Sequence, residues 1–335
     1  MNIQREQLIQ AWLTTVLCSD QFKIKYLAGD ASFRRYARVY FEEKSFILMD
    51  APPEQEDCIP FVSIDEYLDQ HDVRVPHIEA KDLVLGVLLL EDFGDIVLAK
   101  NLNQHSVDPY YQQCFLQLLQ LQTIEPNHLF PTYSHEKLWA EMELFNAWTL
   151  PSLGIQFDES AQAIVKHAFQ ALVDNAIMQP QVIVHRDFHS RNLMVLEHEQ
   201  QLGVIDFQDA VVGPDTYDLI SLVRDAYVQW DEPRVIDWIT EFYELLPASS
   251  KVNRSLAQFI QDADFISLQR HIKILGIFVR LYERDGKQNY LADLPLVMWY
   301  VVQISQKYPE LHDFYLLLEQ YVLPKFYAKY GQYKV

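Results

Sequence analysis

Gln181–Asp225 reads QVIVHRDFHSRNLMVLEHEQQLGVIDFQDAVVGPDTYDLISLVRD, and this stretch decides the fold. Val182–Val184 is a short apolar run that delivers His185, Arg186 and Asp187 to its end. Five residues after Asp187, Asn192 opens a second apolar run, Leu193–Leu196. The polar turn Glu197–Gln201 reverses the chain, and Leu202–Ile205 returns to end in Asp206. The spacing predicts a hairpin holding Asn192 and Asp206 at neighbouring strand ends, a short loop away from Asp187. An amide oxygen beside a carboxylate suits Mg²⁺, which takes a few protein oxygens and keeps room for water and phosphate. A further carboxylate, not needed by the metal, can accept a hydroxyl proton. These are the parts required to move a phosphoryl group from ATP to an alcohol.

The rest of the chain is compatible with such a site. Its 335 residues suffice for one large domain or two moderate ones. Half of the residues are hydrophobic and only nine are glycine, which excludes a disordered or collagenous chain. With 27 basic and 47 acidic side chains the formal net charge is −20, which argues against a general nucleic-acid binder and against docking on anionic lipid. Cys18, Cys58 and Cys114 form no CxxC pair and no metal-ligand spacing, so reduced thiols are expected. Met1–Leu13 carries Arg5 and Glu6 within an amphipathic pattern and lacks the apolar core of a signal peptide. The apolar run Leu83–Leu90 is too short to span a bilayer. A soluble cytoplasmic protein is expected.

Gln4–Cys18 reads as an amphipathic helix, followed by strand-like segments at Phe22–Leu27, Arg35–Phe41 and Ser45–Met49. Pro52 and Pro53 stop the third strand, Ile59–Gln70 has helical spacing, and Leu83–Leu90 reads as a buried strand. After Asp95 helical patterns dominate: Gln112–Gln122, Glu136–Leu150, Glu159–Met178, Tyr217–Val228, Glu232–Leu246, Leu256–Glu283, Val297–Lys307 and His312–Phe326. The expected fold class is α+β, with a small antiparallel β lobe over residues 1–95 and a large helical lobe over 96–335.

The block HRDFHSRN followed by IDF, each flanked by apolar strands, resembles the catalytic loop and Asp-Phe-Gly segment of protein-kinase-like phosphotransferases. It is most similar to the aminoglycoside phosphotransferase superfamily. Asp30–Val39 (DASFRRYARV), Phe46–Pro53 (FILMDAPP), Val75–Ala80 (VPHIEA), Val87–Asp95 (VLLLEDFGD) and Gln269–Pro295 extend the resemblance over nearly the whole chain. These segments look like a bacterial branch that phosphorylates the anomeric hydroxyl of amino sugars, N-acetylmuramate and N-acetylglucosamine, during peptidoglycan recycling. The resemblance implies a bilobal kinase-like fold with a five-stranded antiparallel sheet, ATP as co-substrate and Mg²⁺ as cofactor. It implies a monomer acting on a small amino sugar, without nucleic acid or membrane.

Residue roles follow from the same resemblance. Asp187 is the catalytic base or hydroxyl-orienting carboxylate, and Asn192 and Asp206 are the Mg²⁺ ligands. The third motif residue is Gln208 rather than glycine. His185 is expected to be structural. His189 is a candidate for phosphate or sugar contact. No Gly-x-Gly-x-x-Gly occurs, and Phe46–Asp50 holds no lysine. Ser32 is expected to contact phosphate, and the neutralising cation comes from Arg34, Arg35 or Lys44, with Arg35 preferred and Glu66 as its possible partner. Glu91, Asp92 and Phe93 mark the connector, binding adenine through main chain with replaceable side chains. Asp218 is expected to bond back to the catalytic loop. Asp215, Asp225, His271, Arg280 and Arg284 are candidate sugar contacts. The alternatives are a phosphotransferase for aminoglycosides or other small alcohols, for which −20 is compatible, and a catalytically silent nucleotide-binding scaffold, which the absent lysine and glycines favour and Asp187, Asn192 and Asp206 oppose.

Overall fold

Every second residue of three neighbouring strands contributes to one buried layer in the first part of the molecule. Ala37, Val39, Leu48, Val87 and Leu89 are shut off from solvent on one face of a sheet, and Ile9 and Leu13 of a covering helix pack on them. The period of two puts every second side chain on that face. The computed structural model describes residues 3–27, 34–196 and 201–334. In chain order the elements here are α1 (Ile3–Leu17), β1 (Phe22–Tyr26), β2 (Arg35–Phe41), β3 (Lys44–Asp50), α2 (Ile59–Asp69), β4 (Ile78–Asp82) and β5 (Val87–Glu91). The strands form one antiparallel sheet in the order β1-β2-β3-β5-β4. The buried strand expected from Leu83 begins only at Val87. Leu83–Gly86 is the turn between β4 and β5, with Val84 almost fully exposed and Gly86 at φ +69°. A side chain at Gly86 would meet the Ala51 carbonyl at 2.2 Å, so the turn needs glycine both for its dihedral and for its space.

Contact density divides the chain into two compact units. The first holds Met1–Asn101 together with Asn192–Gln208, and the second holds Leu102–Arg191 and Asp209–Val335. The segment 192–208, read from sequence as part of the helical lobe, thus groups with the sheet-containing unit.

In the second unit the helices are α3 (Val107–Thr123), α4 (His135–Leu144), α5 (Leu150–Ser152), α6 (Glu159–Met178), α7 (Tyr217–Val223), α8 (Glu232–Leu245), α9 (Leu256–Asp285), α10 (Leu294–Lys307), α11 (His312–Leu317) and α12 (Leu323–Tyr330). One two-stranded ladder, β6 (Gln181–Val184) with β9 (Val211–Pro214), is inserted among them. The intervening β7 (Leu193–Met194) and β8 (Gly203–Val204) pair with each other in the first unit. α9 is the axis of the second unit. Ser255 caps its start by accepting the Gln258 N–H, and Gly286 ends it in the left-handed conformation. Gly276 lets α9 approach α4 so closely that an added Cβ would lie 2.3 Å from the Leu144 carbonyl carbon. Among the described residues no helix is long and apolar enough to cross a membrane.

Asp65 of α2 is 2% exposed, and its Oδ2 has no hydrogen-bond partner. Burial, with Asp69 and Glu66 adding and Lys81 opposing, pushes its carboxyl up to about 8. The folded value lies above the unfolded one, so this group's contribution is fully present below about pH 4 and falls as the pH rises toward 8. Asp65→Asn should therefore raise the melting temperature at pH 8.5 more than at pH 5. An equal effect at both values, read by thermal unfolding, would contradict this.

Candidate active site

β6 ends at Val184, and the next residues turn away under two constraints. The Asp218 carboxylate accepts the backbone N–H of His185 at 2.6 Å and of Arg186 at 2.9 Å. Arg186 sits at φ +75°, a region that a non-glycine residue populates only when its surroundings hold it there. Its guanidinium is tied to Glu141 and lies 5.3 Å over the Tyr133 ring. Further along, the Asp225 carboxylate accepts the Ser190 N–H at 3.0 Å and its hydroxyl at 2.5 Å. The loop carrying Asp187 is thus braced on both sides, and the expectation that Asp218 bonds back to it holds.

The Asp187 side chain is 41% exposed, while the groups behind it are buried. Desolvation raises its pKa, but Lys273, His189, Arg270 and Arg186 together hold it well below the usual carboxylate range. Lys273 is itself set by Glu141 at 3.4 Å and the Tyr217 hydroxyl at 3.2 Å. Asp187 is therefore ionised at any working pH. Asp218, by contrast, is pushed up to about 6, chiefly by burial.

The other half of the expected machinery lies in the first unit. β7 and β8 pair as the sequence spacing predicts; residues 197–200 of their connection lie outside the described residues. The Ile205 N–H donates to the Asn192 carbonyl at 3.1 Å. Asp206, at φ +68°, leaves its carboxylate exposed. The Asn192 amide reaches Asp206 Oδ2 at 3.3 Å, and the Gln208 amide reaches Oδ1 at 2.8 Å. Phe207 is fully buried and packs against Phe61 at 4.9 Å. An amide and a solvent-facing carboxylate side by side are the hard, open oxygen set that Mg²⁺ prefers. They therefore fit that ion. No cluster of three or more His, Cys, Asp or Glu suited to a metal occurs among the described residues.

Several expected contacts have other partners. Ser32 lies outside the described residues. Arg35 is consumed: its Nε donates to Asp50 Oδ2 at 2.9 Å, and it also pairs with Glu6 at 3.0 Å. Arg34 pairs with Glu56 at 2.8 Å, and Tyr36 has Arg34, Asp206 and Glu56 as its charged neighbours. Glu66 pairs with Lys81. Glu91 holds Arg74 bidentately, Asp92 holds Arg38, and Phe93 lies under the Arg74 guanidinium at 4.7 Å, so these side chains are not freely replaceable.

On the acceptor side, Asp215 is buried in an ion pair with Arg254 at 2.6 Å, and Asp225 braces Ser190. His271 is fully buried in α9, with its ring nitrogens against the carbonyls of Ser267 and Arg224. Burial lowers its pKa to about 3. Arg284 pairs with its exposed neighbour Asp285, and Arg280 is half-buried with Nε unpartnered. His189 lies beside Asp187, its backbone N–H donating to the Asp187 carbonyl at 2.9 Å, and its ring meets the edge of Tyr227 at 5.2 Å. Sequence reasoning missed Arg270, Lys273, Glu141 and the Arg191–Tyr227 stack, in which the guanidinium lies 3.5 Å from the ring centroid.

The family described as Phosphotransferase enzyme family matches residues 23–252. The chain belongs to this family. It is 40% identical over 288 residues to an N-acetylmuramate/N-acetylglucosamine kinase of Pseudomonas putida, covering 85% of this chain and 84% of that one. It is 34% identical to the Neisseria meningitidis protein of the same name, covering 96% and 97%. Among solved structures, an ADP-bound aminoglycoside phosphotransferase APH(2'')-Ib has a TM-score of 0.59 at 14% identity, with coverage of 91% and 99%. A Plasmodium vivax ethanolamine kinase reaches 0.61 at 12%, with coverage of 84% and 82%. At such identities the likeness concerns the fold, which is the protein-kinase-like fold of small-molecule phosphotransferases. The family makes this chain a small-molecule kinase.

Asp215→Asn should cost on the order of 1–3 kcal/mol in urea unfolding, because a buried charge partner of Arg254 is lost. It should leave the Michaelis constant for the acceptor unchanged. A tenfold rise in that constant without loss of stability would return Asp215 to the acceptor site.

Proposed function

We propose that the chain transfers the γ-phosphoryl group of ATP to the C1 hydroxyl of N-acetylmuramate and N-acetylglucosamine, the reaction class of peptidoglycan amino-sugar recycling. The carrying observation is similarity over 96% of the chain to a kinase named for these two sugars, joined by 40% identity to a second. Asp187 receives and orients the acceptor hydroxyl. Asn192 and Asp206 would hold Mg²⁺, which when bound neutralises the phosphate charge.

Local charge favours this acceptor over an aminoglycoside. The groups facing Asp187 include Lys273, Arg270 and Arg186, and Arg191 lies on the nearby Tyr227. Fixed positive charge behind the base suits a neutral or carboxylate-bearing sugar better than a polycation. The carboxylates that would have attracted a polycation, Asp215 and Asp225, are committed to Arg254 and Ser190. The aromatic rings of Tyr227, Phe278 and Tyr290 form a wall suited to an acetamido sugar.

On the nucleotide side the proposed phosphate cation is Arg34 rather than Arg35, because Arg35 already meets Asp50 and Glu6. The Arg34–Glu56 pair takes the part that a lysine–glutamate pair plays in protein kinases. Arg34→Ala should raise the Michaelis constant for ATP at least tenfold, whereas Arg35→Ala should mainly lower the melting temperature. The reverse pattern would exchange the two assignments.

The acceptor assignment is tested by phosphorus NMR of the product. An anomeric phosphate coupled to the sugar H1 is expected, and a C6 phosphate or turnover of aminoglycosides alone would refute it. Asp187→Asn should lower turnover by roughly 10²–10⁴ with nucleotide binding intact. Near-native turnover in that variant would remove Asp187 from the reaction.

A further inference from the structure

Arg270 is 2% exposed in α9, one helical turn from Lys273, and no sequence signal singles it out. The second unit's other buried arginines each leave one guanidinium nitrogen without a hydrogen-bond partner but close on two carboxylates. Arg224 meets Asp264 at 2.7 Å and Glu232 at 2.6 Å, and Arg254 meets Asp215 at 2.6 Å and Asp262 at 2.8 Å. Arg270 differs. Its Nε and Nη1 are shut off from solvent without a hydrogen-bond partner, and its Nη2 lies 3.7 Å from Asp187 Oδ1. That separation is too long for a hydrogen bond. A guanidinium beside a carboxylate normally closes to a short, often bidentate pair. A buried cation left short of partners is costly unless something else meets its charge.

The 3.7 Å gap has the width of a one-oxygen bridge. A hydroxyl oxygen about 2.7 Å from Oδ1 and about 2.9 Å from Nη2 closes a triangle on that edge, with both contacts at ordinary hydrogen-bond lengths. We propose that Arg270 is a catalytic residue whose Nη2 donates to the acceptor oxygen while Asp187 receives that oxygen's proton. The inference rests on the phosphoryl-transfer reading of this site. In the step, an oxygen lone pair of the acceptor forms the bond to the γ-phosphorus. The bond from that phosphorus to the β,γ-bridging oxygen breaks, and ADP leaves with the electron pair. The acceptor proton passes to Asp187 Oδ1 and is lost to solvent after the product departs.

The arrangement also explains how so weak a base serves. The same cations that hold Asp187 ionised make it slow to take a proton, so the proton moves late and negative charge gathers first on the acceptor oxygen. A guanidinium already aimed at that oxygen needs no reorganisation to stabilise the charge. A hemiacetal C1 hydroxyl, more acidic than an ordinary sugar alcohol, is the acceptor best matched to this device.

The test compares R270Q and R270K with the wild-type chain in thermal unfolding and in steady-state kinetics on both amino sugars. R270Q should melt at or above the wild-type temperature, because it removes a poorly compensated charge. Its kcat should fall about 10²–10³-fold with the acceptor KM within threefold. R270K keeps the charge on a differently shaped head and should fall between R270Q and wild type, at least tenfold below the latter. A loss carried by KM, or a kcat within tenfold of wild type in R270Q, overturns the proposal. If R270Q does not fold, wild-type kcat in R270K overturns it. A wild-type chain that phosphorylates no amino sugar defeats the proposed function instead. Arg270 is then read on slow Mg·ATP hydrolysis, with water in the acceptor's place, where R270K should again be at least tenfold slower and an unchanged rate overturns the inference.

Discussion

The two hydrogen bonds from the His185 and Arg186 N–H groups to Asp218 are the constraint on which the second unit's chemistry depends. Arg186 at φ +75° is a conformation the isolated chain avoids, and it is this turn that directs Asp187 out of the β6 line. One carboxylate at the start of α7 holds the backbone there, and Glu141 holds the Arg186 side chain. Asp225, two residues past the end of α7, does the same for Ser190. The backbone of the loop is thereby braced at two points, by α7 and by the residue just beyond it. Positioning of this kind, together with electrostatic stabilisation, is what a protein contributes to phosphoryl transfer.

Charge is organised against the average of the chain. The sequence carries −20 overall, yet the groups behind Asp187 include Lys273, Arg270 and Arg186. Surface acidity governs solubility and long-range attraction, whereas the reacting atoms respond to what lies within a few ångströms. The loop's two carboxylates show the contrast. Asp218, buried, is pushed up to about 6, while Asp187, among cations, is held low. Groups of one chemical type are thus driven in opposite directions by their surroundings.

What was legible in the sequence was local. The spacing from Asp187 to Asn192 to Asp206 predicts the β7–β8 pairing, and α6 begins and ends where its periodicity does. What was not legible depended on partners far along the chain. Asp215 and Asp225 look alike as acidic residues near a catalytic loop. Only the folded chain brings Arg254 to the first, 39 residues away, and Ser190 to the second, 35 residues away. Arg270 sits in a stretch of α9 buried on all sides, where no polar face separates a functional cation from a structural one. The apolar run from Leu83 hid a turn because its residues satisfy strand patterning while Gly86 alone demands the left-handed dihedral.

The lack of a lysine within Phe46–Asp50 of β3 has a packing explanation. Leu48 and Met49 are both fully buried, and Leu48 belongs to the layer covered by α1. Neighbouring residues of a strand face opposite sides, so β3 is apolar on both faces where an ammonium would have to leave. The proposed cation for phosphate comes instead from a strand end, where a long side chain can reach outward with its stem still packed. Arg34 and Arg35 stand together at the start of β2, and the same alternation sends them to different surroundings. Arg35 goes to Asp50, which is 1% exposed and also grips Arg5 at 2.6 Å. Withdrawing Arg35 would leave that buried carboxylate short of charge. Glu56 is 23% exposed, so its link to Arg34 can be exchanged for a phosphate with water taking up the released carboxylate. On the proposed reading of the nucleotide site, burial of the partner, rather than the identity of the cation, decides which arginine is available, and a guanidinium can grip phosphate bidentately where a lysine offers one point of charge.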